Sequence, residues 1–146
     1  MRHLAIALII PASLAVGHTA RAADGPVGIW LTEEKSSKIR IANCGKAMCA
    51  TVLWAKTGGV DDQNPDPALR NRPVVGLALS RDIRPDGKGA WAASMYNPEN
   101  GKTYKTTLKP KGRELEVGGC VLGGLLCGSE TWAKAGETTG SVGARE

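Results

Sequence analysis

The chain has 146 residues, 19 Lys plus Arg against 14 Asp plus Glu, a net charge of +5, two His and no Phe. That length suits one domain with a real core. The basic residues are spread along the chain, which excludes the clustered footprint of a nucleic-acid binder. Both histidines, His3 and His18, fall in the first 22 residues. A chain without that segment has no Ser-His-Asp or Cys-His nucleophile, no histidine base and no His-ligated zinc, copper or haem.

Met1-Arg2-His3 forms a short basic region, residues 4–16 form an apolar one, and Ala20-Arg21-Ala22 supplies an A-x-A cleavage site. This predicts a Sec-type signal peptide over residues 1–22 and a mature chain from Ala23, periplasmic or secreted. The apolar run is shorter than the ~20 residues of a membrane span and is broken by Pro11. No later segment is apolar enough to span a bilayer, and no Cys follows the cleavage site to carry a lipid. Loss of Arg2 and Arg21 leaves 17 basic against 14 acidic residues, or +3.

The mature sequence reads as short strands between turn signals. Residues 27–31 come first. Residues 38–42 alternate, with Ile39 and Ile41 on one face and Lys38 and Arg40 on the other. Residues 49–56 are β-branched and aromatic, as strands prefer. Residues 74–80 are the fourth candidate, followed by an Arg84-Pro85-Asp86-Gly87 turn. Residues 89–96 are the fifth, and Asn100-Gly101 then suits a hairpin. In residues 103–109, Tyr104, Thr106 and Leu108 share a face. Pro110-Lys111-Gly112 turns the chain into residues 114–118, with Leu115 and Val117 inward. Residues 129–134 close the set. Eight short strands without a sustained helical period predict an antiparallel sandwich or barrel. Barrel closure would leave no exposed edge. The domain is expected over residues 23–134, with a polar, Gly-rich, disordered tail over 135–146.

Cys44, Cys49, Cys120 and Cys127 are an even set in an exported chain, which reads as two disulfides. Of three pairings, Cys44–Cys49 and Cys120–Cys127 are favoured, because each pair brackets a short Gly-containing segment. A four-Cys metal site is opposed by the oxidising compartment and by the spacing.

The longest connection is residues 61–77, D-D-Q-N-P-D-P-A-L-R-N-R-P-V-V-G-L. A loop of this length in a small domain is usually a lid, a binding loop or disordered. Asp66 can cap one helical turn begun by Pro67. Asp61, Asp62, Asn64 and Asp66 crowd oxygens together. Two prolines intervene and no Glu follows in register, so capping and turn bonds explain them better than calcium.

Four stretches resemble one bacterial secreted family, domain of unknown function 2147. They are N-P-D-P-A-L-R-N-R-P-V-V-G-L (64–77), I-A-N-C-G-K-A-M-C-A-T-V-L-W (41–54), Y-N-P-E-N-G-K-T-Y (96–104) and G-C-V-L-G-G-L-L-C-G-S-E-T-W (119–132). The resemblance covers nearly all of residues 28–134. It implies an all-β, antiparallel, lipocalin-like (calycin-type) eight-stranded barrel whose role is uncharacterised. Gly28-Ile29-Trp30 is similar to the G-x-W of a first lipocalin strand. Lys134, two residues after Trp132, would then pack over Trp30 where Arg is more usual. Gly28, Trp30, Asp66, Pro67, Trp132 and Lys134 are accordingly expected to be structural.

The functional expectation is an exported, non-enzymatic, monomeric binding protein for a small apolar or amphipathic, lipophilic molecule, with no cofactor and no metal. Trp54, Leu77, Leu79, Trp91, Met95 and Tyr104 would line the cavity, and Arg70 and Arg72 would anchor a ligand carboxylate or phosphate. The bland alternatives are core packing for the former and pairing with the loop's own Asp residues for the latter. A second function would be a filled barrel that contacts a partner protein or the envelope. A third is a His-free, carboxylate-based hydrolase. Glu33-Glu34 and Asp61-Asp62 do not support it, since adjacent strand residues face opposite sides.

Overall fold

A computed structural model describes residues 25–136. The expected leader, its cleavage site and residues 137–146 of the expected tail lie outside the described residues. The chain forms β1 (Gly28–Leu31), β2 (Ser37–Asn43), β3 (Met48–Ala55), β4 (Ala78–Pro85), β5 (Trp91–Asn97), β6 (Lys102–Lys111), β7 (Glu114–Val121) and β8 (Leu126–Ala135). Each strand is antiparallel to the next, and β8 returns to β1 through Trp30↔Lys134 and its neighbours. The sheet is thus a closed barrel of eight strands, with no free edge left to pair with another chain.

This up-and-down order fixes the two ends. The β1–β2, β3–β4, β5–β6 and β7–β8 connections lie at one end, here the open end. The β2–β3, β4–β5 and β6–β7 connections lie at the other, the closed end, where the chain also enters β1 and leaves β8. The two disulfides take the expected pairing, one at each end. Cys44–Cys49 ties the β2–β3 hairpin and Cys120–Cys127 ties the β7–β8 hairpin.

Inward positions alternate along the strands, as the pleat requires. At the closed end Trp30, Ile41, Ala50, Ile83, Leu108 and Leu115 are all 0–1% exposed. Burying each of the larger ones contributes about 1.5–3 kcal/mol. The Trp30 indole N–H donates to the Pro26 carbonyl at 2.7 Å, and Lys134 Nζ lies 5.1 Å from the Trp30 ring centroid. Gly28 sits beneath that cation at φ +148°, where an added Cβ would stand 3.2 Å from Lys134 Cε. A side chain there would meet both backbone strain and a crowded neighbour.

The fourth strand differs from expectation. Residues 74–77 are loop, and β4 starts at Ala78 and runs through Pro85. The V-V-G-L run is apolar enough to resemble a strand, but Gly76 adopts φ +91° and bends it away. Ile83, fully buried, takes the inward place. Pro85 is tolerated because it sits at the end of its strand. The β4–β5 ladder pairs only Arg84↔Ala92 and Pro85↔Trp91. Beyond it the Asp82 side chain takes over, accepting from Ser94 N–H at 3.0 Å and Ser80 Oγ–H at 2.8 Å. These bonds hold the Asp82 carboxyl below its ordinary value, the Ser94 amide contributing most. At the other end of the chain, β8 is longer than expected and reaches Ala135, which pairs with Ile29.

Candidate functional site

The open half of the barrel is hollow. A cavity of about 550 Å³ lies there, within the roughly 300–1,000 Å³ typical of ligand pockets. Its apolar wall comes from Ile39 on β2, Val52 on β3, Leu79 on β4, Met95 on β5, Val117 on β7 and Trp132 on β8. The hollow follows from side-chain size at inward positions. Thr106, Gly119 and Gly128 occupy successive inward sites on β6, β7 and β8, where the register is Thr106↔Gly119↔Gly128. The closed half carries Trp, Ile and Leu at the same parity. An eight-stranded barrel has room for side chains or for one small ligand, and this one divides its length between the two.

The mouth is built by the open-end connections. Thr32, Glu34 and Ser36 come from the β1–β2 turn; Gly58, Val60, Asp62 and Val74 from the β3–β4 connection; Pro98 and Glu99 from the β5–β6 turn. The long loop therefore forms one wall of the mouth. It is tied in place by Asp61, which is completely buried. One Asp61 oxygen accepts from Tyr96 O–H at 2.6 Å. The other accepts from Asn64 Nδ2 at 2.7 Å and from Arg72 Nε at 2.9 Å, with a second Arg72 nitrogen at 2.8 Å. The Arg72 guanidinium also lies over the Tyr96 ring at 5.9 Å. Burial alone would raise the Asp61 carboxyl, but the bonds from Tyr96, Asn64 and Arg72 and the Arg72 charge outweigh it and hold it below its ordinary value. Burial and the Asp61 carboxylate push the Tyr96 hydroxyl up.

Two smaller devices finish the loop. Asp66 Oδ1 accepts from Ala68 N–H at 2.9 Å at the start of a 3₁₀ turn over Pro67–Leu69. Gly101, at φ +68°, lies so close to the loop that an added Cβ would fall 2.0 Å from the Gln63 carbonyl oxygen. No other residue fits that contact without moving the backbone.

Of the residues expected to line a cavity or anchor a ligand, the structure brings Leu79, Met95 and Tyr104 to it and leaves five outside. Trp54 is on the outer surface of β3, 41% exposed, with Lys38 Nζ 5.9 Å from its ring. Trp91 lies at the closed end of β5, level with Leu108, against Gly25. Leu77 is buried in the core where the loop rejoins the sheet. Arg70 Nε donates to the Asn64 carbonyl, and Arg72 is held by Asp61. Both arginines thus serve the loop's internal bonding, Arg72 through the alternative pairing with a loop Asp and Arg70 through a backbone carbonyl. The oxygens of Asp61 are taken by protein donors, and among the described residues no group of three or more His, Cys, Asp or Glu could hold a metal.

Sequence reasoning missed Glu130. It lies on β8 between Gly128 and Trp132, in step with both, and lines the cavity. The Trp132 indole N–H donates to its Oε1. Burial pushes the Glu130 carboxyl up, the Trp132 bond opposes this, and Glu33, Glu34 and Glu99 raise it further. The signal was present in S-E-T-W-A-K: Glu130 shares the parity of Trp132.

A closed, up-and-down, eight-stranded antiparallel barrel with an open-ended cavity defines a lipocalin-like protein. The comparisons agree. The family described as an uncharacterised protein conserved in bacteria, domain of unknown function 2147, matches residues 28–134, and the chain belongs to that family. The chain is similar to a solved structure, "Protein HP1028 from the human pathogen Helicobacter pylori belongs to the lipocalin family", at 26% identity and a TM-score of 0.68. That match covers 76% of this chain and 83% of the other. No curated protein matches the chain.

Proposed function

We propose that this is an exported binding protein that holds a small apolar or amphipathic molecule in the open half of its barrel. The observation that carries this reading is the cavity of about 550 Å³ with its apolar wall. The lipocalin-like fold favours ligand binding over catalysis, and the solved relative is itself described as a lipocalin. Export is supported by the two disulfides, which persist in oxidising compartments. Among the described residues no helix is long and apolar enough to cross a membrane. The apolar body of the ligand would sit against Leu79, Met95 and Trp132, with the residue 61–77 loop as a braced wall of the entrance. Among the tryptophans only Trp132 lines the cavity. Titration with the neutral fluorophore N-phenylnaphthylamine should therefore quench Trp132 saturably, and a competing lipophile should reverse it. A linear, non-competable response sinks the binding reading.

A second reading, contact with a partner protein or the envelope, is favoured by one feature. Leu122, Leu125 and Leu126, 68%, 83% and 57% exposed, crown the β7–β8 hairpin at the open end. Their replacement by Ser should leave fluorophore binding intact and abolish any partner contact.

A further inference from the structure

We infer that the cavity selects amphiphiles carrying a positive charge, an amine or quaternary ammonium on an apolar body, and that Glu130 is the residue that selects them. This rests on the cavity reading above and adds the charge of the ligand to it.

The placement of Glu130 comes from the sheet. On β8, Gly128, Glu130 and Trp132 share one face, and Trp132 is buried. Glu130 pairs across the ladder with Val117, itself buried and part of the cavity wall. The carboxylate is therefore an inward group on the wall of the hollow half. The Trp132 indole fixes one of its oxygens.

The remaining charges have the same sign. The acids lining the cavity are Glu34, Asp62, Glu99 and Glu130, and no Lys or Arg lines it among the described residues. Glu33 adds a fifth carboxylate at the rim, where its Oε2 accepts from Thr131 N–H at 2.7 Å. Four of the chain's cations are held away from the lining. Arg72 is on Asp61, Lys134 is over Trp30 at the closed end, and Lys109 and Lys111 pair with Glu116. Aromatic rings are also present: Tyr96, Tyr104 and Trp132 line the same space. A cation gains from ring faces as well as from a half-buried carboxylate. An anionic head would be desolvated beside like charges with no Lys or Arg on the cavity lining, which is costly.

The test compares two amphiphiles with the same chain and opposite permanent charge. Dodecyltrimethylammonium and dodecyl sulfate, both below their micellar concentrations, displace N-phenylnaphthylamine from the full mature chain. The expected result is about tenfold tighter binding of the cation, the effect of one charge-assisted contact. Glu130→Gln should erase most of that preference, and Glu116→Gln, on the outer face of β7, should keep it. Affinity for the permanent cation should also rise with pH as Glu130 ionises, and this rise should flatten in Glu130→Gln. Circular dichroism of the variant shows that it is folded. Equal binding of the two amphiphiles, tighter binding of the sulfate, or an unchanged preference in Glu130→Gln overturns the inference while leaving the cavity reading standing. Failure of N-phenylnaphthylamine to bind at all overturns both.

Discussion

The two halves of the barrel share the same strands and differ in what the inward positions carry. At the closed end, Trp30, Ile41, Ile83, Leu108 and Leu115 are 0–1% exposed and fill the interior. At the open end Thr106, Gly119 and Gly128 hold the equivalent places, and a cavity of about 550 Å³ remains. The backbone alone does not decide whether such a barrel is solid or hollow, because eight strands suit either. Inward side-chain volume decides it, two or three residues per strand. The filled half supplies the packing that closes the barrel. That leaves the other half free to be empty, polar at the rim and acidic.

The largest expected effect is in the filled half. Leu108→Ala should cost about 2–5 kcal/mol, as core truncations do, and lower the urea midpoint accordingly. If the closed end is the stabilising half, no truncation of a cavity-wall residue such as Leu79 should match it. A larger loss for Leu79→Ala would break the comparison.

Next comes the brace between the loop and the open end. Asp61→Ala strands the Tyr96 hydroxyl and Arg72, and should cost about 1–3 kcal/mol. The pH dependence has a definite sign. The folded Asp61 carboxyl titrates below its ordinary 3.8, so its stabilisation is fully present above that value and is lost as pH falls through the lower folded one. Acid unfolding followed by circular dichroism should therefore be shallower in the variant. Limited proteolysis of the loop should become faster.

Gly128→Leu acts on the cavity itself. An added Cβ there meets nothing within 4 Å, and the side chain would project into the hollow. Fluorophore affinity should fall at least about tenfold, while stability changes by less than about 1 kcal/mol, since no packed neighbour has to move. Isothermal titration and a denaturant melt measure the two. Unchanged affinity would show that ligand does not occupy the hollow half.

The smallest expected effect is on stability in Glu130→Gln. The folded Glu130 carboxyl is raised above its ordinary 4.5, so in the native protein stability declines as pH rises from that value through the folded one. The Gln variant retains an acceptor for Trp132 and should show a slightly higher melting temperature at neutral pH. No difference at pH 7, together with a lower melting point at pH 4, would reverse the assignment.

Much of the barrel is legible in the chain itself. Ile39 and Ile41, Leu115 and Val117, and Tyr104, Thr106 and Leu108 reveal their faces by alternation alone. The cysteine spacing points to both disulfides. The start of β4 is not legible, because Val74 and Val75 look strand-like and the bend depends on Gly76 at φ +91°. The site reads less well than the fold. Trp54 and Trp91 are large and apolar, yet one faces solvent and the other the closed end. Arg70 and Arg72 look like a ligand anchor because sequence shows a charge without its partner. Asp61, eleven residues before Arg72, is the partner of that arginine, and the Asn64 carbonyl accepts from Arg70.

Most of the strands, two local disulfides and a loop carrying one capped turn are written in the amino-acid order, because each depends on neighbours a few residues apart. Which half of the barrel is empty, and that Glu130 lines it, are matters of tertiary structure. Those outcomes depend on register across β6, β7 and β8, where Thr106, Gly119 and Gly128 come level. Three small residues far apart in sequence leave a hollow only when the sheet sets them side by side.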